Sequence, residues 1–188
     1  MEVWLIILVV ILILIVGFFI AMYNSLIALK KNAEKAWYDI DVLLQKRHDV
    51  LAKLVETVSS YLTYERTVLE KLTQMRTQYM NLPSNDIQSK INLSNQITGA
   101  FRYLFAVMEN YPELKSNQNV IQLQQAIMEL ESQLADAREF YNEVVTLLNT
   151  RIQQIPYNII ASIAGIRPMP LYKVPEEEKQ DVSTRLQF

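Results

Sequence analysis

The hydrophobic pattern begins with an uninterrupted apolar stretch, residues 3–22, which contains no charged residue and no proline. At about 1.5 Å of rise per residue, such a helix spans roughly 30 Å, the thickness of the hydrocarbon core of a bilayer. Trp4 and Tyr23 lie at its two ends, where aromatic rings favour the membrane interface. The pattern predicts a transmembrane helix over residues 3–22, with residues 1–2 as a short extracytoplasmic end.

The flanks of this stretch favour a retained anchor over a cleaved signal. The residues before it include no lysine or arginine, no Ala-x-Ala cleavage site follows it, and the absence of cysteine excludes a lipoprotein anchor. Lys30, Lys31 and Lys35 follow it closely, and an excess of basic residues marks the cytoplasmic side. We therefore expect a single-pass protein of the cell membrane, with its N-terminus outside and the rest of the chain in the cytoplasm.

Beyond this stretch, apolar positions recur at steps of three and four residues, as they do in amphipathic helices. Neither glycine nor proline occurs between Phe18 and Leu82, so a helix unbroken from Val3 to Asn81 is compatible with the sequence. Polar residues interrupt the apolar pattern at 47–48 and at 65–66. The first helix is therefore predicted to continue from the membrane into the water-soluble part of the chain.

Further helices follow, each bounded by a proline or a capping residue. The second begins after Pro83, with a polar cap at 84–86, and stops before Pro112. The third opens around Asn117, and a short fourth turn of helix is closed by Gly165 in the left-handed cap position. The third helix has a regular heptad seam, typical of coiled-coil-like bundle packing. The seam consists of Val120, Leu123, Ile127, Leu130, Leu134, Ala137, Tyr141, Val144, Leu148, Ile152 and Ile155.

These elements predict an all-α fold in which a single N-terminal transmembrane helix continues into a long antiparallel bundle of three long helices and a short fourth. The bundle is assigned to residues 23–166, and residues 167–188 to an extended, proline-containing and partly disordered tail. The second and third helices are too short to cover the whole first helix, which leaves an apolar stripe with Trp37, Ile40 and Leu44. Either the first helix bends or other copies of the chain cover the stripe, and we favour a homo-oligomer.

A second feature of the first helix points in the same direction. Gly17, Ala21 and Ser25 recur every four residues and form a ridge of small side chains. Small residues at this spacing let two helices approach closely within a bilayer. The ridge is therefore a candidate contact between copies, with a coincidence of spacing as the alternative.

Composition excludes several classes of function. The formal net charge of −2 argues against a nucleic-acid-binding surface, which needs a basic excess. The absence of cysteine removes thiol chemistry, the single His48 provides no second imidazole for a metal site, and three dispersed glycines cannot build a phosphate-binding loop. We expect no enzyme, no catalytic residues, no cofactor and no metal. The expected partners are membrane lipid, further copies of the chain and an additional protein.

One polar cluster is the candidate site. Arg47-His48 interrupts the apolar pattern of the first helix, and an arginine that points into a bundle needs a carboxylate partner because an unpaired buried charge is costly. The cluster is either a buried ion pair that fixes helix register or a docking patch for a ligand or partner. Its candidate residues are Asp39, Asp41, Arg47, Asp49, Glu56, Arg138, Tyr141 and Asn142.

A set of short sequence blocks extends from Tyr23 to the end of the last predicted helix. The blocks are Tyr23-Asn24, Ala36-Trp37, Asp39-Ile40-Asp41, Leu44, Arg47, Leu54-Val55-Glu56-Thr57-Val58, Tyr61, Tyr111-Pro112-Glu113-Leu114-Lys115, Asn117, Leu123-Gln124, Ala137-Arg138, Tyr141-Asn142, Asn149, Pro156 and Gly165. Taken together, these blocks resemble the LemA family. The resemblance implies a bacterial or archaeal membrane protein with one N-terminal helix and a long α-helical cytoplasmic bundle. It implies no catalytic residues; members have been linked to envelope homeostasis, and relatives in magnetic bacteria to membrane invagination.

The chain departs from the family pattern at three places. Ala52 replaces a common proline, so a kink is not expected there, and Tyr64 replaces a common histidine, which weakens any histidine-dependent site. Ser132-Gln133 replaces a more usual Asn-Arg. Together these features favour a self-assembling helical scaffold at the membrane, with a monomeric membrane-anchored adaptor that presents its bundle or its tail to a protein partner as the alternative.

Overall fold

The computed structural model describes residues 2–62 and 66–173, and within these ranges the fold is all-α, without a strand. The prediction of fold class is confirmed. Tyr64 and residues 174–188 of the predicted tail lie outside the described residues. The helices are α1 (Glu2–Ser59), α2 (Arg66–Asn81), α3 (Ile87–Met108), α4 (Pro112–Ser116), α5 (Gln118–Arg151) and α6 (Tyr157–Ile163).

The chain divides into two compact units. Over the described residues, the first unit consists of residues 2–39 and 137–171, and the second consists of residues 40–136 with 172–173. In the second unit α1 and α3 run in the same direction, because Asp41 contacts Lys90 while the later residue Arg47 contacts Ser94. The short 82–86 connection turns α2 back into α3, so α2 runs in the opposite direction to α1 and α3 in this unit.

Helix α1 continues through Arg47-His48, where the apolar pattern is interrupted, but it does not reach Asn81. It ends at Ser59, well before the first proline of the chain, so the continuation to Asn81 that the sequence left open does not occur. Near this end, Thr57 and Ser59 donate hydroxyl hydrogen bonds to the carbonyls of Lys53 and Glu56. Serine and threonine compete in this way for backbone groups, and an end here frees α2 to pack back within the second unit.

The predicted caps of the later helices are confirmed. The Asp86 carboxylate accepts the backbone N–H of Ser89 at 3.1 Å and caps α3. The Asn117 side chain accepts the N–H of Asn119 at 3.0 Å at the start of α5. Pro112 does more than end the previous helix, because it opens the short helix α4 at a position where its missing N–H costs nothing.

The heptad seam of α5 is buried most deeply at every seventh residue. The exposed fraction is 2% or less at these seam positions, and the seam residues between them are half-buried. An amphipathic helix produces this difference when one row of its apolar face is more deeply covered than the other. The fully buried row is Val120, Ile127, Leu134, Tyr141 and Leu148.

Helix α5 ends at Arg151, about one turn before its predicted end at Pro156. Residues 152–156 form turns instead of continuing the helix. Ile155, the last residue of the predicted seam, is 82% exposed, so its assignment to the core is wrong. The short helix α6 follows, and Gly165 adopts a φ of 64° at its end, which confirms the predicted left-handed cap.

The stripe that includes Trp37, Ile40 and Leu44 is covered within the single chain. The three residues are 5%, 0% and 1% exposed, so the expectation that they need another copy of the chain is wrong. Trp37 packs against Tyr141 of α5 with ring centroids 5.7 Å apart. The estimate from helix lengths failed because α5 and the segment after it cover part of α1 that the earlier helices do not reach.

Candidate functional site

Arg47 joins three helices of the second unit. Its side chain is 2% exposed, and its guanidinium donates to the Ser94 carbonyl and hydroxyl and, at 2.7 Å, to the Thr98 hydroxyl of α3. Its Nε lies 2.7 Å from Oε1 of Glu131 on α5, and its Cζ lies 5.1 Å from the centre of the Phe101 ring. Only arginine presents a planar fork that can serve a carbonyl, hydroxyls and a carboxylate together. Arg47 therefore fixes the register of α1 against α3 and α5.

A second polar contact set lies further toward the N-terminus of α1. Oδ1 of Asp41 accepts hydrogen bonds from the Tyr79 hydroxyl of α2 at 2.6 Å and from the Lys90 ammonium of α3 at 2.7 Å. Burial first, and then the hydrogen bond to Asp41 and its charge, raise the pKa of Tyr79. The phenol therefore remains a donor at physiological pH. Asp41 and Lys90 are 9% and 4% exposed, so they form a buried ion pair with a third partner.

His48 connects these two sets of contacts. Its imidazole is 5% exposed and lies against the Tyr79 ring with centroids 4.2 Å apart. Its Nδ1 is buried, with no hydrogen-bond partner among the described residues. Burial first, and then the positive charges of Arg47 and Arg76, lower the pKa of His48 from 6.5 to about 4, against the opposing charges of Asp49 and Asp41. His48 is therefore neutral at pH 7.

These residues line a cavity of about 360 Å³ in the second unit. Its wall is partly polar, and Asp49, which is exposed, contributes a carboxylate at its rim. Within residues 2–62 and 66–173, no three histidine, cysteine, aspartate or glutamate side chains are grouped so that they could hold a metal ion. The arrangement can accept and donate hydrogen bonds, and two of its charges, Asp41 and Lys90, are paired with each other. The residues that line the cavity include Asp41, Gln45, His48, Asp49, Tyr79 and Lys90.

The low pKa of His48 predicts that the second unit loses stability in mild acid. A histidine whose folded pKa lies below its unfolded pKa contributes stability that is complete above pH 6.5 and is lost as the pH falls toward 4. Between pH 7 and pH 5 we expect the free energy of unfolding to fall by about 2 kcal/mol through this group. Urea unfolding of the full-length chain in micelles, followed by helical circular dichroism, measures it.

The matched control is His48→Phe, which keeps an aromatic ring against Tyr79 and removes the titration. This variant should lose less stability between pH 7 and pH 5 than the unchanged protein. An equal loss in both proteins would show that the acid sensitivity arises elsewhere.

In the first unit, α5 holds the extended segment that follows α6. The Asn149 amide donates to the Met169 carbonyl at 2.8 Å and accepts the Met169 N–H at 2.9 Å. The Tyr141 hydroxyl donates to the Pro170 carbonyl at 2.7 Å, and burial raises the pKa of Tyr141 to about 12. The described part of the predicted tail, residues 167–173, is thus extended and held in place at these positions.

The structure separates the residues of the predicted polar cluster. Asp41 and Arg47 lie at the centre of the second unit, whereas Asp49 and Glu56 are exposed on the same helix. Asp39 is exposed, and it belongs to the first unit together with three cluster residues of α5. Of these three residues, Tyr141 is buried, and Arg138 and Asn142 are half-buried.

Sequence reasoning missed the partners of the two central residues. Glu131, Tyr79 and Lys90 each lie three or four residues from apolar residues of their own helix. A single lysine or glutamate at such a position does not indicate burial, because these residues are common on protein surfaces. The one available signal was that Arg47 required a carboxylate, and nothing in the sequence identified which one.

The candidate ridge of small residues lies in the exposed part of α1. Gly17 and Ala21 are exposed and Ser25 is half-buried. No atom lies within 4 Å of a Cβ added at Gly17. Among the described residues, α1 is the one helix long and apolar enough to cross a membrane.

Comparison with known proteins finds relatives along most of the chain. The chain is 27% identical over 179 residues to Protein LemA of Metamycoplasma hominis, which covers 92% of this chain and 80% of that protein. It is 20% identical over 169 residues to Magnetosome protein MamQ 2 of Paramagnetospirillum magneticum, covering 77% of this chain and 62% of that protein. Magnetosome protein MamQ of Magnetospirillum gryphiswaldense is 19% identical over the same shares of the two chains. The model of the LemA family matches residues 36–188, so the chain belongs to the LemA family.

Proposed function

We propose that this membrane-associated helical protein is a non-enzymatic, self-assembling scaffold, anchored in the cell membrane by residues 3–22. The bundle is placed on the cytoplasmic side, because Lys30, Lys31 and Lys35 follow the span. The polar contacts of the bundle join helices to one another, as a rigid platform requires. Family membership and the relatives named for magnetosomes support a role in organising membranes.

The observation that carries this proposal is the exposed apolar surface of α1. Every residue from Val3 to Ala21 is exposed, so the rest of the chain covers none of this surface to any large extent. Such a surface is stable in lipid and not in water. Within it, Gly17 leaves open space at its Cα, where a second helix can approach closely.

Energy transfer between copies in a bilayer tests self-assembly. Full-length protein labelled with donor or acceptor is reconstituted at low density in vesicles, and we expect transfer above the level of randomly distributed copies. Gly17→Leu should reduce the excess transfer several-fold, because its side chain would occupy the space in which the helices approach. A Cβ at position 17 meets no side chain of its own chain within 4 Å, so a loss of transfer is expected to report a contact between copies.

The matched control is Val16→Leu, which also enlarges an exposed side chain of the span and should leave transfer unchanged. Transfer at the random level in the unchanged protein would overturn the scaffold. That result would favour the second candidate, a monomeric anchored adaptor that presents its bundle to a protein partner. The burial of Trp37, Ile40 and Leu44 within one chain is the observation that supports this candidate.

A further inference from the structure

The short helix α6 is apolar on both of its faces. Ile160 and Ala161 are 7% and 3% exposed, so one face is packed against the rest of the first unit. On the opposite side Ile159 and Ile163 are 54% and 83% exposed, and Ile155, just before the helix, is 82% exposed. Isolated exposed isoleucines are ordinary on a soluble protein, but Ile159 and Ile163 lie one helical turn apart on α6, and Ile155 adds a third exposed isoleucine in the turn before the helix. We name Ile155, Ile159 and Ile163 the isoleucine edge.

The geometry of the first unit places this edge near the end of the apolar stretch of α1. Trp37 contacts Tyr141, and Met22 and Leu26 are 3% and 0% exposed, so residues 137–171, the other segment of this unit, cover α1 back to Met22. Met22 lies roughly 22 Å along α1 from Trp37 at about 1.5 Å per residue. Helix α5 extends about 15 Å from Tyr141 to its end at Arg151, away from the residues that belong to the second unit, and the rest of an equal distance leads into the turn before α6.

The charged side chains that neighbour α6 in the sequence are of one sign. Between residues 151 and 171 the charged side chains are Arg151 and Arg167, with no aspartate or glutamate. Arg167 is exposed, and Arg151 is half-buried with its Cζ 4.9 Å from the centre of the Tyr157 ring. Apolar side chains beside arginines and a tyrosine are the combination that binds the boundary between lipid headgroups and acyl chains.

We propose that the isoleucine edge of α6 inserts into the membrane interface beside the point where α1 leaves the bilayer, with anionic phospholipid as its partner. This inference rests on the proposed anchoring of residues 3–22. The edge and the anchor then form two contacts with the same leaflet, and the second contact fixes the tilt of the first unit at the membrane surface. The experiment below also distinguishes lipid from a second copy of the chain or another protein as the partner of this edge.

Depth-dependent fluorescence quenching tests the contact. The sequence contains no cysteine, so Ile159→Cys and Ile163→Cys each accept a single environment-sensitive nitrobenzoxadiazole label on the full-length chain. The labelled proteins are reconstituted in vesicles of phosphatidylcholine and phosphatidylglycerol, with or without lipids that carry a nitroxide near the headgroup. We expect nitroxide lipids to lower the emission of both labels by at least about twofold.

Two controls separate this inference from the anchoring itself. Ile13→Cys places the label in the middle of the span, where nitroxides deep in the acyl chains should quench it. Phe140→Cys places it on α5 beside Tyr141, at a position that is 55% exposed and far from Met22 along the unit, where no lipid quenching is expected. Asn158→Cys, also exposed on α6, replaces either isoleucine variant that loses helical circular dichroism.

Each outcome has a distinct meaning. Quenching at Ile13 together with Ile159 and Ile163 supports the proposal. Quenching at Ile13, with both α6 labels as unaffected as the Phe140 label, overturns the interfacial contact and leaves the anchor intact. A blue-shifted α6 label that lipid nitroxides do not quench also overturns it, because a protein surface then covers the edge. Absence of quenching at Ile13 overturns the anchoring and this inference together.

Discussion

Replacing Arg47 with methionine is expected to lower the free energy of unfolding of the second unit by about 3 kcal/mol. The methionine fills part of the space but leaves Glu131 without its partner at a position where that side chain is 30% exposed. Because Glu131 is partly exposed, water can solvate its unpaired carboxylate. The expected loss of unfolding free energy is therefore at the low end of the range for a broken buried ion pair. Amide hydrogen exchange of α3 in the full-length chain measures the loss, which should accelerate the slowest amides by about 10²-fold.

The cost should come mainly from the carboxylate that is left behind. The Thr98 hydroxyl already donates to the Ser94 carbonyl at 3.2 Å and so keeps a partner when Arg47 is removed. The double variant Arg47→Met with Glu131→Gln should therefore be more stable than Arg47→Met alone. Lys46→Met, at the exposed neighbouring position, is the matched control and should change exchange little. An equal effect of Lys46→Met and Arg47→Met would contradict the register role of Arg47.

Replacing Lys90 with methionine is expected to cost a similar amount, about 3 kcal/mol, for a different reason. The Asp41 carboxylate would keep the Tyr79 hydrogen bond but lose the ammonium 2.7 Å away, in a position where Asp41 is only 9% exposed. A buried carboxylate without a cation is strongly disfavoured. The same exchange experiment on α2 and α3 reads this loss.

Removing the charge of Asp41 as well tests whether the loss in Lys90→Met comes from the unpaired carboxylate. In Asp41→Asn with Lys90→Met, an uncharged amide oxygen can still accept the Tyr79 hydrogen bond, so we expect the double variant to regain a large part of the loss. Lys53→Met, on the exposed side of α1, is the control for removing a lysine. If the double variant is no more stable than Lys90→Met, the pairing of charges is not what stabilises this contact.

The periodic parts of the fold could be predicted from the sequence because their signals are local. The α5 seam repeats every seven residues, Asp86 and Asn117 cap helices within three residues of themselves, and Gly165 accommodates a positive φ. Each depends on neighbours in the chain, and each is present in the structure.

The remaining features depend on contacts between distant residues. The end of α1 at Ser59 carries no glycine or proline, so the strongest local signals for a helix end are missing there. The stripe that includes Trp37 was predicted to be uncovered because helix lengths were compared without knowing the register of α5. For the same reason Arg47 could be identified as a residue that needs a counter-charge, whereas Glu131, 84 positions later, could not.

The extended segment after α6 is held almost entirely by its main chain. Asn149 bonds both backbone groups of Met169, and Tyr141 bonds the carbonyl of Pro170, so none of these contacts depends on the side chain at 169. The position of the backbone at residues 169 and 170 is therefore fixed by α5 and does not require a particular side chain at 169. During evolution, side chains at 169 can drift and acquire new surface chemistry without displacing the backbone, provided that Asn149 and Tyr141 are retained.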